Sequence, residues 1–471
     1  MPSLSNTDSG QQWPAPFRRI RHWFAAGRDG TSRRQHEIYP LNFWFCILVL
    51  LLTRLGNDLL LYPRDDLILT AVCRHYYEND HGDHGNPGPE FCFDERITRH
   101  WLSITRLLMF LAPLASTVAQ IPMGILVDKG KRRLAFTINI FSTVLYWGSI
   151  AVFGLVRVFP LWCFYLSPIF LLLGGGPWAL GNLVFATVSS SVRPEQRTTA
   201  FSLLEGLSGI PSLVAPLLYN ASMSPDLWVA YTIALVVYSL TLLPALHLRN
   251  DDTPQNEDTE RGDEVISDEI QPLLGAGGNS AREPIRLSPR EGTRFGQKLN
   301  IIAICCACFF GVCLARGSTF YTFVWIWSQF GHDAIFTSVL LYIQAVVLTI
   351  LFLVVLPLTI RRLDKTWRVA KRDIVLSSAW VASCAVGTLI ILLAPNLATA
   401  IIGFILVTLE YAAPVSIRSF LASHFEKSYS GRLFAGIGIV ETIGGLLGQH
   451  LTTAGYYTQG VPFAISLVRN D

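Results

Sequence analysis

Gly124-Ile-Leu-Val-Asp128-Lys129-Gly130-Lys131-Arg132-Arg133 is a short, strongly charged turn between two long apolar segments, near 102–127 and 133–155. Each segment exceeds the roughly 20 residues a helix needs to cross a bilayer. So short a turn makes them consecutive spans with a basic patch at one membrane face. The composition agrees with a membrane chain. Of 471 residues, 51% are hydrophobic and only 15% charged, with mean hydropathy +0.40, so much of the apolar surface is expected to face lipid rather than a water-soluble core. A net charge of +3 gives no global field that would point to nucleic acid.

Further apolar segments lie near 41–61, 160–188, 199–221 and 227–247, making six with the pair above. A polar break over 248–298 precedes five more, near 299–327, 334–360, 374–394, 398–422 and 433–455. Lys and Arg fall in alternate connections: Lys129 to Arg133, then Arg193 and Arg197, then Arg361 to Arg372, then Lys427 and Arg432. Under the positive-inside rule these connections, and the N terminus, are cytoplasmic. The first external loop is dominated by acids, among them Asp65, Asp66, Glu78 and Asp80. No early apolar stretch marks a signal peptide.

With spans on both sides, the pattern Gly-x-x-x-Asp-(Arg/Lys)-x-Gly-(Arg/Lys)-x-(Arg/Lys) resembles the signature loop between helices 2 and 3 of the major facilitator superfamily. The resemblance implies an all-α polytopic membrane protein of two helical halves around a midplane cavity. Its parts would be a cytoplasmic basic tail (1–40), a six-helix half (41–247), a cytoplasmic central loop (248–298) and a second half (299–471). About 11 membrane helices are read. The apolar run Val461 to Val468 is far short of a span, so helix 12 is expected to be truncated, with an exofacial or re-entrant fragment as the alternative. Asp364-Lys365 looks like a degenerate copy of the signature in the second half. Leu69 to Tyr77, Phe91-Cys92, Pro194-Glu-Gln-Arg197-Thr198 and Arg418-Ser419-Phe420 resemble a fungal-type branch related to the proton-coupled folate and solute carriers. The function implied is secondary transport of a small solute by alternating access with proton coupling, as symport. The alternatives are a non-transporting receptor or regulatory homologue, or an inactive truncated isoform.

Ionisable residues inside spans are costly, so they carry the site expectations. Arg54 and Asp58 lie four apart on one face of helix 1 and can pair locally, with Asn57 between them. Helices 1, 4, 7 and 10 line the cavity by resemblance, which makes Arg54, Asp58, Arg316 and Glu410 candidates. Arg106, Glu205, Gln344 and Glu441 follow. Asp58, Glu410 and Glu441 are candidate proton carriers, while Arg54 and Arg316 are candidate holders of an anionic group. Arg418 and Arg157 are expected to snorkel from span ends. Gly124, Asp128, Lys129, Gly130, Lys131 and Arg133 form the conformational switch. By resemblance, Asp128 should meet the start of helix 11 near Gly431 to Ala435, where a helix N terminus favours an anion.

Cys73 and Cys92 share the oxidising side of the membrane under this topology, so a disulfide is expected, with two free thiols the alternative. Cys305, Cys306, Cys308 and Cys313 spread around one helix instead of converging like zinc ligands. The loop histidines His75, His81 and His84 are read as solvated, not as a metal site. No cofactor motif, and no nucleophile with a base, suggests an enzyme. Gly174-Gly-Gly-Pro177 is expected to kink helix 4. In the central loop, Glu269-Ile-Gln-Pro-Leu273-Leu274 is similar to acidic dileucine signals read by sorting adaptors, which leaves plasma, vacuolar and endosomal membranes open. The expected partners are a small solute, H+ and the lipid bilayer.

Overall fold

A computed structural model describes residues 40–81, 92, 94–156, 158–221, 227–250, 303–317, 326, 334–425 and 427–458. They are helical in sequence: α1 (Leu41–His81), α2 (Glu95–Asp128), α3 (Arg132–Leu155), α4 (Leu161–Ser191), α5 (Pro194–Ala221) and α6 (Leu227–Ser239, then Leu242–Leu246). After the central loop come α7 (Ala303–Gly317), α8 (Ala334–Leu363), α9 (Val369–Leu392), α10 (Leu397–Ala422) and α11 (Ser430–Thr458). Ten of these are long and apolar enough to cross a membrane; α7, as described, is shorter. Side chains such as Leu389, Leu392 and Ile402 stand well exposed on the outside. In a membrane chain lipid is the expected cover for such a surface, and each helix satisfies its own backbone groups there. The expected span at 433–455 falls within α11, whereas 459–471 and the Glu269 to Leu274 run lie outside the described residues.

The first span departs from its expected end near residue 61. It runs as one helix to His81, through Pro63. The acids assigned to a loop lie on this extension, and its core face continues through Leu67, Ile68, Ala71, Val72 and Cys73. Two bonds fix the extension to its neighbours: Trp101 Nε1 donates to Asp65 O at 3.1 Å and Arg74 Nη2 to Gly154 O at 3.0 Å. Cys73 is bonded to Cys92, with the Cα atoms 5.0 Å apart across 19 residues of sequence. Closing a loop of that length constrains the unfolded chain by about 3 kcal/mol. Replacing Cys73 by serine should therefore lower the apparent Tm. Reducing agent should lower it for the parent chain and leave the Cys73→Ser variant unchanged, as a thermal unfolding curve would report.

Two helices are interrupted inside the membrane. In α4 a 3-10 segment, Leu161–Phe170, leads to Gly175 and Gly176, whose φ values of +81° and +60° only glycine adopts readily. The carbonyls freed at this break are met by Asn139 of α3, buried, whose Nδ2 donates to Gly174 O at 2.6 Å and to Gly176 O at 2.9 Å. Residues Leu351–Val355 of α8 form a π turn, and the Phe352 carbonyl there accepts from Ser202 Oγ of α5 at 2.6 Å. Irregular backbone at membrane depth survives where protein side chains take up its polar groups.

Between the two sets of helices, α2 and α4 pack on α11, and α5 packs on α8 and α10. These contacts carry the polar clusters described next.

Candidate functional site

The turn Gly124 to Arg133 is tied to the start of α11, a contact called the latch below. Asp128 ends α2, and Gly130 makes the turn with φ +73°, its N–H donating to Val127 O and that of Lys131 to Leu126 O. Lys129 caps α2, and its N–H donates to Ile125 O. Asp128 accepts from the backbone N–H of Gly431 at 2.5 Å and of Arg432 at 3.0 Å, the first turn of α11. Arg432 Nε stands 3.4 Å from the same carboxylate, which is almost wholly buried. A carboxylate at a helix N terminus meets both free N–H groups and the positive end of the dipole. The approach depends on Gly124 and Gly431 facing each other. A Cβ on Gly124 would stand 2.5 Å from Gly431 O, and one on Gly431 still nearer to Gly124 O.

Of the basic residues in the turn, Arg132 is the buried one, and its Nη2 donates to Ser190 Oγ at the end of α4 at 2.9 Å. Arg133 uses its backbone N–H to bond Asn250 Oδ1 at 3.1 Å. The sequence pattern had pointed to Arg133, because a motif position does not say which side chain turns inward.

A second cluster at the same end joins the other helices. Arg372, fully buried at the start of α9, pairs with Asp364 at the end of α8 and with Asp373 at 2.8 Å, and donates to Thr198 Oγ1 of α5 at 2.6 Å. Thr198 also bonds the Asp373 carboxylate at 3.2 Å and Ser419 Oγ at 2.8 Å. Beside it, Arg197 Nη1 donates to Ala422 O, the end of α10, at 2.6 Å. Valine at Thr198 keeps the shape but removes a hydroxyl from a buried charged cluster. It is expected to destabilise the chain by about 1–3 kcal/mol, measured as a lower denaturation temperature in detergent; an unchanged temperature would show that the cluster repacks.

Ten residues along α11 from Gly431, about 15 Å and thus about half a bilayer core, lies Glu441. It bridges two arginines, accepting from Arg316 Nη1 of α7 at 3.2 Å and from Arg418 Nη2 of α10 at 2.5 Å. Arg418 Nη1 reaches on to Glu205 of α5 at 3.2 Å. Two cations and two carboxylates thus tie α5, α7, α10 and α11 together. The rings of Tyr411, 4.5 Å from the Arg316 guanidinium, and Phe185, 4.6 Å from that of Arg418, cover them. Phe185, Phe201 of α5 and Phe434 of α11 pack ring to ring beneath.

This arrangement corrects two expectations. Arg418 does not snorkel; it is 3% exposed, because Glu205 and Glu441 offset its charge inside the bundle. Arg54 and Asp58 are not paired either: Ser212 Oγ of α5 donates to Asp58 at 2.7 Å, which draws the carboxylate across the helix interface.

Arg54 and Asn57 instead line a cavity between α1, α4 and α5, with Leu50, Phe185 and Glu205 among its walls. Glu410 is buried in α10, and among the described residues its Oε1 has no hydrogen-bond partner. Arg106 is exposed on α2 and Gln344 half-buried on α8. Among the described residues no cluster of His, Cys, Asp or Glu could hold a metal.

Residues 100–449 match the sequence family described as the Major Facilitator Superfamily. The chain belongs to that superfamily. As such it is a multi-pass integral membrane protein. The MFS transporter SAT21 of Stachybotrys chartarum is 24% identical over 323 residues, which cover 65% of this chain and 66% of that one, just under two thirds of its length. The MFS efflux pump atnC of Emericella nidulans is 23% identical over 87% of this chain and 80% of its own. Among solved structures, the human organic anion transporter MFSD10 superposes with a TM-score of 0.60 at 13% identity, covering 89% of this chain and 95% of that one. The Escherichia coli fucose:proton symporter FucP gives 0.54 at 14% identity, covering 90% and 93%. At such identities the likeness is one of fold alone.

Proposed function

We propose that this chain is a secondary transporter that carries a small solute across a membrane by alternating access, coupled to H+, with its N terminus in the cytoplasm. The observation that carries the proposal is the Asp128 contact with the N terminus of α11. It closes one end of the bundle through few bonds that an opening motion can break, and the buried charges lie deeper in the bundle. The latch residues Gly124, Asp128, Lys129, Gly130, Lys131 and Arg133 are the proposed switch, with Arg132 as its anchor.

Glu410, Glu441 and Asp58 are the proposed proton carriers. Glu410 is the leading one, since it is buried with its Oε1 left without a donor among the described residues. The motif likeness to proton-coupled folate and solute carriers supports coupling, and the name efflux pump borne by atnC and by ustT of Aspergillus flavus supports movement out of the cytoplasm.

Reconstitution of the full chain in vesicles with an imposed pH gradient tests this. Saturable flux of at least one solute from a broad panel is expected, accompanied by proton movement whose sign separates symport from antiport. A folded chain that moves no solute in either direction would reduce it to a receptor or regulatory role.

A further inference from the structure

The connection between α8 and α9 carries five exposed cations: Arg361 and Arg362 in the last turn of α8, Lys365 between the helices, Arg368 at the N-cap of α9 and Lys371 in its first turn. Among the described residues the first four side chains make no hydrogen bond or ion pair, and Lys371 Nζ stands 5.4 Å from the centre of the Trp367 ring. Between Leu356 and Arg372 the one acid is Asp364, and the buried Arg372 engages it. The exposed charges are left uncompensated.

Helix electrostatics accounts for only part of the group. Arg361 and Arg362 stand at a helix C terminus, where the dipole favours a cation, but Arg368 and Lys371 stand at an N terminus, where it does not, and the first turn of α9 holds no acid. Their place against the bilayer accounts for the rest. Val355 and Leu358 of α8 and Ile374 and Val375 of α9 are exposed apolar side chains. Arg361 and Arg362 follow Leu358 by three and four residues, and Lys371 precedes Ile374 and Val375 by the same spacing. On both helices the lipid-facing stripe therefore turns basic at its end. Trp367, half-buried between them, is a residue type that settles at headgroup level.

We propose that this connection docks the headgroup of an acidic phospholipid in the adjoining leaflet, one that carries a phosphomonoester. Its hydrocarbon tails lie on the stripes that end at Leu358 and Ile374, while Arg361, Lys365, Arg368 and Lys371 offer charge and N–H donors to the phosphates. A polyvalent headgroup fits better than a single charge, because the cations share the connection with one acid that is already taken. With the orientation proposed above, the leaflet is the cytoplasmic one. The docking needs no flux, so it stands or falls apart from the transport reading.

The test is native mass spectrometry of the detergent-solubilised full chain with phosphatidylcholine, phosphatidylserine and phosphatidylinositol 4-phosphate. The phosphoinositide should bind at least about tenfold more tightly than phosphatidylcholine, with phosphatidylserine between them, since each Lys or Arg near an anionic headgroup strengthens binding about fivefold. Arg361→Gln, Lys365→Gln and Arg368→Gln combined should remove that preference. Arg96→Gln with Arg99→Gln, both exposed at the opposite end of α2 from the latch, should leave it intact. Soluble inositol 1,4-bisphosphate distinguishes a lipid site from a phosphate site, and it should bind at least about tenfold more weakly than the lipid, which adds the tails.

Three results would overturn the proposal: equal binding of phosphatidylcholine and the phosphoinositide, as would follow if an acidic segment of the chain covered the patch; a preference that survives the triple replacement; or a soluble headgroup that binds as tightly as the lipid. The three replaced side chains are exposed and unpaired among the described residues, so the variant should melt with the parent in lipid-free detergent. If it does not fold, Arg361→Gln and Arg368→Gln alone decide, each expected to weaken the phosphoinositide about fivefold.

Discussion

Replacing Arg418 with glutamine is expected to produce a large loss of stability. Arg418 is almost fully buried, and among the described residues it alone pairs with both Glu205 and Glu441. Removing the cation leaves two carboxylates short of a partner, and breaking a buried pair in this way costs about 3–5 kcal/mol. Arg316 still holds Glu441 Oε1 at 3.2 Å, so Glu205 is the group left most exposed to the loss. Adding Glu205→Gln to Arg418→Gln should therefore recover part of the stability, and Glu441→Gln should recover less. Thermal denaturation of the three purified variants measures this. If Arg418→Gln melts with the parent, the four charges do not hold α5, α7, α10 and α11 together.

The second large effect is expected at the latch. Asp128→Asn keeps an oxygen for the N–H groups of Gly431 and Arg432 but removes the negative charge that the helix terminus and the Arg432 side chain favour. A loss of about 1.4 kcal/mol, within the range for a charge-assisted bond, shifts an open-to-closed ratio about tenfold. Gly431→Ala attacks the same contact by sterics, since its Cβ would collide with the Gly124 carbonyl and come within 2.7 Å of Asp128 Oδ1. Both should open the same end. A cysteine placed at Ala186, buried beside Gly124 and Gly431, in a chain whose other free cysteines are replaced, should react about tenfold faster with maleimide in either variant. Unchanged labelling would mean that the contact does not control access.

The fold and the latch were legible because their signals are local. Long apolar runs report spans, and the likeness of Gly124 to Arg133 to the superfamily's signature loop implied the contact with α11. What escaped was set by partners distant in sequence. The end of α1 was read near residue 61, before a run of acids, yet the buried face from Leu67 to Cys73 and the bond to Cys92 carry the helix to His81. Arg54 and Asp58 satisfied a helix-spacing rule, but Ser212, 154 positions away, competes for the carboxylate. Arg418 was judged by its distance from a span end, which carries no information about Glu205 and Glu441 waiting inside the bundle. Asn139 gave no pattern at all, because its role depends on carbonyls freed by the break at Gly175.

The most direct test of the latch as the gate of an alternating protein is a distance measurement across it. Spin labels at Lys131, in the turn after α2, and Lys365, after α8, both exposed, report the separation of the two halves at that end by double electron–electron resonance in nanodiscs. The parent chain should show a dominant short distance and a minor long one, and Asp128→Asn and Gly431→Ala should each invert their proportions. A single distance, the same in all three proteins, would contradict the account.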